Sequence, residues 1–317
     1  MHTQPTRRDV LGMGAAAASA LLLPAAARAQ WKPIPIGTQL WCVRKQLATE
    51  IPGTLKSLSA IGFEAVELEN AFGKSGPEWK THLDAAKLKA CGFHHRLDEL
   101  QGEKLAATLE FNQAVGNRNL IIRSFPAEVY KSADLLKKTA DSVNEIAEKV
   151  KPHRMRVGYH NHTTDFNRID GEYWWNVFAD RTAKDVILQL DTGNASEMEG
   201  VTMVDLIKRN AGRTVSMHVK PFSKKNPTAY LGADELDWPA IMLAGWLPAR
   251  RAAHLDPLVS LRHARQRPNQ RRHEAPDCDP SVPRMIPEVR PDRPGSRLPP
   301  EPRVRAEPAE SRRVADD

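Results

Sequence analysis

Seven short apolar runs recur along the chain roughly every 26 to 38 residues, a period that fits strand–helix units and exceeds that of purely helical repeats. In order they are PIGTQLW from Pro35, FEAVELE from Phe63, FHHRLD from Phe93, RNLIIRS from Arg118, RVGYHNH from Arg156, VILQLDT from Val186 and TVSMHVK from Thr214. Runs of this length bounded by turn signals read as buried strands, and the amphipathic stretches between them are long enough for helical crossovers. Glu50–Ile61 stops at Gly62, LDAAKLKACG stops at Gly92, LEFNQAVG follows, and a long helix spans Ser132–Val150; a glycine suits the left-handed residue that ends a helix. Such alternation builds a parallel sheet, and 317 residues are enough for a closed (β/α)8 barrel as one domain.

The eighth unit is where the pattern stops. LDWPAIM starts a seventh helix, but beyond Trp246 there is no aromatic residue and no lysine, and 13 of the 24 prolines lie there. Dense proline breaks helices and central strands alike, and low apolar content leaves little to offset ordering entropy. The expected fold is therefore a (β/α)8-type barrel over residues 30–246, incomplete by its eighth strand, followed by a Pro/Arg-rich disordered tail over 247–317. Two origins compete for the tail: a genuine basic extension, or translation out of frame after a shift near residues 243–250. The second is favoured because the tail begins where the last unit belongs.

Residues 1–29 read as a targeting segment and not as part of the fold. Arg7-Arg8 precede an Ala/Leu-rich run too short to span a bilayer, and Ala27-Arg28-Ala29 offers small residues for cleavage before Gln30. The paired arginines resemble a twin-arginine export signal. The implied partner is that export machinery, the implied location is the periplasm, and no stable membrane anchor is expected. The net charge of +7 raises a nucleic-acid reading, but 15 Arg against 11 Asp and Glu after residue 246 account for +4 of it, and no basic stripe with interleaved aromatics marks the remainder. Cys42, Cys91 and Cys278 lack metal-site spacing and read as small buried hydrophobes.

In a parallel barrel the C-terminal strand ends converge on one mouth. His160, Asp191 and His218 end three successive strands. Two imidazoles and a carboxylate suit one divalent ion, Mn, Co, Zn or Fe, and leave coordination positions for substrate oxygens. An ion so held polarises a carbonyl and stabilises an enediolate, which is what sugar isomerisation and epimerisation require. A carboxylate must then shuttle the proton, and Asp165 and Glu67 are the candidates. Each signal has a plainer reading. A strand-end histidine is often only hydrogen-bonded, and Asp191 is placed to cap the helix that starts near Ala195. Lys220, on the face of His218, is read as a catalytic residue that contacts a substrate oxygen or phosphate. His94 and His95 close the third strand, and His95 is taken as the one at the mouth. His162 touches either substrate or packing. Trp41 is placed to stack on a sugar ring, whereas Trp174 and Trp175 read as helix packing.

VGYHNHTTDF, LQLDTGN, MHVKPFSKKN and LGADELDW, in that order, resemble the sugar phosphate isomerase/epimerase family, the xylose isomerase-like TIM barrels, over about Gly37–Ile241. The resemblance implies one divalent metal at the barrel mouth, with His160, Asp191 and His218 at the first three ligand positions. It places Asn194 where many relatives carry histidine, a substrate-side position, and Asp165 where close relatives carry glutamate. It also implies a fourth ligand, a glutamate on the eighth strand, which has no counterpart here; Glu274 and Glu288 lie in the tail and are assigned no role. The function expected is proton abstraction beside the carbonyl of a small sugar or keto-sugar, unphosphorylated if the protein is exported. The alternative is an inactive barrel remnant that lacks the glutamate. Apurinic endonucleases share the barrel, but their larger ligand cluster and basic groove are not visible, so no nucleic-acid partner is expected.

Overall fold

The computed structural model describes residues 35–251 and 258–261, with side chains described as far as Gly245. The export segment, Gln30, Cys278, Glu274, Glu288 and the tail beyond Leu261 lie outside the described residues. Ten strands run in chain order: β1 Ile36–Gln39, β2 Ala65–Leu68, β3 Lys89–His95, β4 Asn119–Ile122, β5 Arg156–His160, β6 Arg168–Ile169, β7 Glu172–Tyr173, β8 Ile187–Asp191, β9 Ser216–Val219 and β10 Leu258–Leu261. β6 and β7 form a small antiparallel hairpin, and the other eight close a parallel barrel in the order β1-β10-β9-β8-β5-β4-β3-β2.

The seven strands read from the sequence are all present, but the barrel does not end with them. Leu258–Leu261 pairs on one side with β1, Ile36 opposite Val259 and Thr38 opposite Leu261, and on the other with β9, Leu258 opposite Ser216. The sequence pattern shows no eighth strand; β10 fills that place in the barrel, and helix Trp238–Arg251 runs past residue 246. Four residues are enough because both neighbours supply complete ladders, so pairing replaces the pattern that the sequence lacks.

Helix ends follow local chemistry. Ile51–Ile61 and Lys104–Val115 stop at Gly62 and Gly116, both at positive φ (110° and 77°). The helix expected to stop at Gly92 instead covers Gly76–Ala85, opened by a Ser75–Glu78 capping box and followed by Lys87 at φ 58°. Gly92 lies inside β3, where a Cβ would sit 2.6 Å from Glu67 Oε1. That glycine is needed for space, not for chain reversal.

Alternation along each strand separates two interiors. Outward residues such as Val157, Tyr159 and Leu188 pack under the helices with Trp174, Trp175 and Phe178. The two tryptophans are buried in that layer, Trp174 stacked on Tyr130 and tilted against Phe125, and Trp175 tilted against Tyr159. Inside the barrel, Ile121, Ile187 and Val215 form an apolar plug, and Gly158 leaves the room that Ile187 and Ile121 fill. Above this plug the inward side chains turn polar. Among the described residues no helix is long and apolar enough to cross a membrane.

Candidate metal centre

Strand register brings the polar side chains together. Asp191 pairs with His218 across β8 and β9, and His160 pairs with Gln189 across β5 and β8. Residues of equal parity share a face, so His160, Gln189, Asp191 and His218 all enter the barrel. All four are buried. His160 Nε2 and His218 Nδ1 each lie 3.9 Å from Asp191 Oδ2. Asp191 also caps the following helix, but through its other oxygen: Oδ1 accepts the Asn194 N–H at 2.8 Å. The capping reading thus holds for Oδ1, while Oδ2 is the atom turned toward the two histidines.

Two donors bonded to one ion at about 2.1 Å can be at most about 4.2 Å apart. The two 3.9 Å separations lie inside that limit, and two neutral imidazoles with a carboxylate form a suitable donor set for a divalent cation. A third imidazole joins them from β3: His94, His160 and His218 each offer a nitrogen within 4.8 Å of the others, and the His94 ring stacks on that of His218 at 5.5 Å.

Beneath these rings lies a tier of hydrogen bonds. Glu67, fully buried on β2, reaches across the barrel, its Oε2 2.5 Å from His218 Nε2 and 3.2 Å from His94 Nε2. Gln189 donates from Nε2 to Glu67 Oε1 at 2.6 Å and to Ser216 Oγ at 2.9 Å, and its Oε1 lies 2.9 Å from both His160 Nδ1 and His94 Nε2. Gln39 Nε2 meets His94 Nδ1 at 3.1 Å. Burial opposes ionisation of Glu67, but the His94 and His218 imidazoles outweigh it and hold the carboxyl well below the usual range.

Other expected residues lie elsewhere. His95 points outward, to Asn112 at 3.1 Å and Glu99 at 3.2 Å, so the imidazole of this pair that enters the barrel is His94, as strict alternation requires. Asp165 accepts from Tyr159 Oη at 3.0 Å and from the His162 N–H at 2.7 Å, in the layer behind β5. Burial pushes its carboxyl up to about 7, against those hydrogen bonds. His162 is half-buried with its ring edge-on to His160 at 5.1 Å. Lys220 Nζ donates to Asn194 Oδ1 at 2.6 Å and lies 3.9 Å from Glu197. Trp41 lines a pocket of about 280 Å³ with Arg44, Glu69, Asn70 and Phe72, and the Arg44 guanidinium covers its ring at 4.0 Å.

Gln189, Gln39 and Asn161 carried no notice in the sequence. Gln189 had a signal: it is the polar residue two before Asp191 in an otherwise apolar strand, hence on the same inward face.

Comparison with known proteins agrees with this architecture. No curated protein sequence matches. Among solved structures, a sugar phosphate isomerase/epimerase from Parabacteroides distasonis superposes with a TM-score of 0.61 at 18% identity, covering 74% of this chain and 90% of its own. An L-ribulose 3-epimerase gives 0.51 at 16%, covering 72% and 81%. The IOLI protein, solved with a bound zinc atom, gives 0.54 at 12%, covering 72% and 88%. At these identities the superpositions speak for the fold alone. Sequence decides the family: the xylose isomerase-like TIM barrel profile matches residues 55–244, more than half of the chain, and the protein belongs to that family.

Proposed function

We propose that this protein is a metal-dependent enzyme of the isomerase/epimerase kind, acting by proton abstraction beside the carbonyl of a small, unphosphorylated sugar or keto-sugar. One observation carries the reading: His160 Nε2 and His218 Nδ1 converge on Asp191 Oδ2 at 3.9 Å each, in a buried ring at the C-terminal strand ends. These three residues would hold one divalent cation, Mn, Co, Zn or Fe. When bound, such an ion supplies Lewis acidity toward a substrate carbonyl. Among the described residues these three donors leave positions for substrate oxygens, as in catalytic sites generally.

Lys220, held by Asn194, presents an ammonium next to the ring and fixes a substrate oxygen. Asn194 and His162 line the same side, and Trp41 shapes the outer approach. The abstracted proton passes to solvent water, because the partners of Asp165 lie behind β5 and both oxygens of Glu67 are engaged within the barrel. The proposal includes export through the twin-arginine route, with a mature start at Gln30, and N-terminal sequencing of secreted protein tests that part.

For the metal, the full chain is loaded with each of the four ions in turn, desalted and analysed. About one ion per chain is expected, and none in His218→Ala. Keto-sugars incubated with loaded protein in deuterated water should take up deuterium beside the carbonyl. A chain that retains no metal is the inactive-remnant outcome and refutes the proposal.

A further inference from the structure

Proton accounting along the buried tier shows how the site is prepared, given the metal-site reading above. A carboxylate accepts hydrogen bonds and cannot donate. The Gln189 atom 2.6 Å from Glu67 Oε1 must therefore be its NH2 group, which also donates to Ser216 Oγ. The other end of that amide is then a carbonyl oxygen, an acceptor only, and it lies 2.9 Å from both His160 Nδ1 and His94 Nε2. Both of those nitrogens must carry hydrogen. By the same rule His218 Nε2, 2.5 Å from Glu67 Oε2, carries hydrogen. In the neutral form, the one that can bind a cation, an imidazole has a single N–H, so in that form His160 presents a lone pair at Nε2 and His218 at Nδ1. These are the two atoms that face Asp191 Oδ2. His94 completes the chain, because its remaining lone pair at Nδ1 accepts from Gln39 Nε2.

We propose that Glu67 and Gln189 are positioning residues that fix the tautomers of the two ligand rings, so that the cation is taken by His160 through Nε2 and by His218 through Nδ1, with Glu67 and His94 outside the ligand set. His94 is near enough by distance, but its Nε2 carries hydrogen and its Nδ1 is turned to Gln39. Metal-bound histidines generally hand their other N–H to such an acceptor, and loss of the acceptor weakens metal binding by roughly 10- to 100-fold.

Glu67→Gln tests this with almost no change of shape. One end of the new amide must be NH2. Facing His218, it turns Nε2 into an acceptor and moves the hydrogen to Nδ1, toward Asp191. Facing Gln189, it reverses that amide and sets NH2 groups against His160 Nδ1 and His94 Nε2. In either case a lone pair at the site is replaced by a hydrogen. The first readout is nitrogen NMR of histidine-labelled, metal-free full chain. Wild type should show His160 as the Nδ1–H form and His218 as the Nε2–H form, with at least one reversed in Glu67→Gln. The second is cobalt titration: binding should weaken roughly 10- to 100-fold while the absorption bands at saturation stay the same. Gln189→Leu should affect His160 but leave the His218 tautomer in place, and it serves if Glu67→Gln does not fold. Unchanged tautomers or unchanged affinity overturn the inference, and altered saturated bands overturn it by making Glu67 a ligand. Wild type that takes no cobalt refutes the metal-site reading instead, and the tautomers of the metal-free protein then still decide the role of Glu67 and Gln189.

Discussion

Replacement of Asp165 by asparagine separates a structural carboxylate from a catalytic one, and its effect can be worked out from the structure. Asp165 is buried behind β5 with Tyr159 Oη at 3.0 Å and the His162 N–H at 2.7 Å, and burial lifts its carboxyl from 3.8 to about 7. The unfolded chain releases this proton near pH 4 and the folded chain only near pH 7. Between those values the folded state binds more protons than the unfolded one. Stability from this residue is thus full below about pH 4 and declines as pH rises toward 7. At about 1.4 kcal/mol per pH unit, the span from 3.8 to about 7 corresponds to roughly 4 kcal/mol as an upper figure. An asparagine side chain at this position keeps a carbonyl for the His162 N–H and a neutral group for Tyr159, and it carries no titrating proton. Urea unfolding of both proteins at pH 4, 5, 6, 7 and 8 should therefore show wild type losing stability relative to Asp165→Asn as pH rises, with the variant the more stable at pH 8. Turnover, where measured, should change less than tenfold. Parallel pH profiles of stability would refute the buried placement, and abolished turnover with intact folding would restore Asp165 to the reaction.

Two further substitutions probe the barrel. Gly193→Ala would place a Cβ 2.6 Å from Lys220 Cγ and Cδ and 3.0 Å from its Cβ, forcing Nζ off Asn194; thermal unfolding should drop by the equivalent of roughly 1–3 kcal/mol, and KM should rise more than kcat falls. Ser260→Pro removes a ladder donor from the strand that closes the barrel between β1 and β9; light scattering should reveal aggregation through the two exposed edges, whereas a soluble variant with an unchanged melting temperature would mean that Leu258–Leu261 does not close the ring.

Most of the barrel was legible because its signals are local. An apolar run such as VILQLD and a glycine such as Gly62 or Gly116 speak for themselves within a few residues. β10 was not legible for the opposite reason: four residues among arginines and prolines carry no periodicity, and only the ladders of β1 and β9 on either side make them a strand. The helix stop at Gly92 was misplaced because a glycine in sequence does not say whether it serves φ or space, and here the demand comes from Glu67, 25 residues away. The choice of His95 over His94 failed on a single step of alternation. In a seven-residue strand, parity relative to the barrel axis is set by the neighbouring strands, not by the strand itself.

The site shows the same division between local and distant information. His160, Asp191 and His218 could be found one at a time because each ends its own strand, but the groups that decide which atom of each ring faces the carboxylate are separated from it by 29 residues for Gln189 and His160, and by 151 for Glu67 and His218. Glu67 can span the barrel only because β3 offers no side chain at Gly92 in its path. A carboxylate on β2 and a glycine on β3 thus act on the chemistry of β9, although neither contacts Asp191. Residue type can be read along a strand, whereas imidazole tautomer is a property of the closed ring, since it requires acceptors from strands that meet only when the barrel shuts.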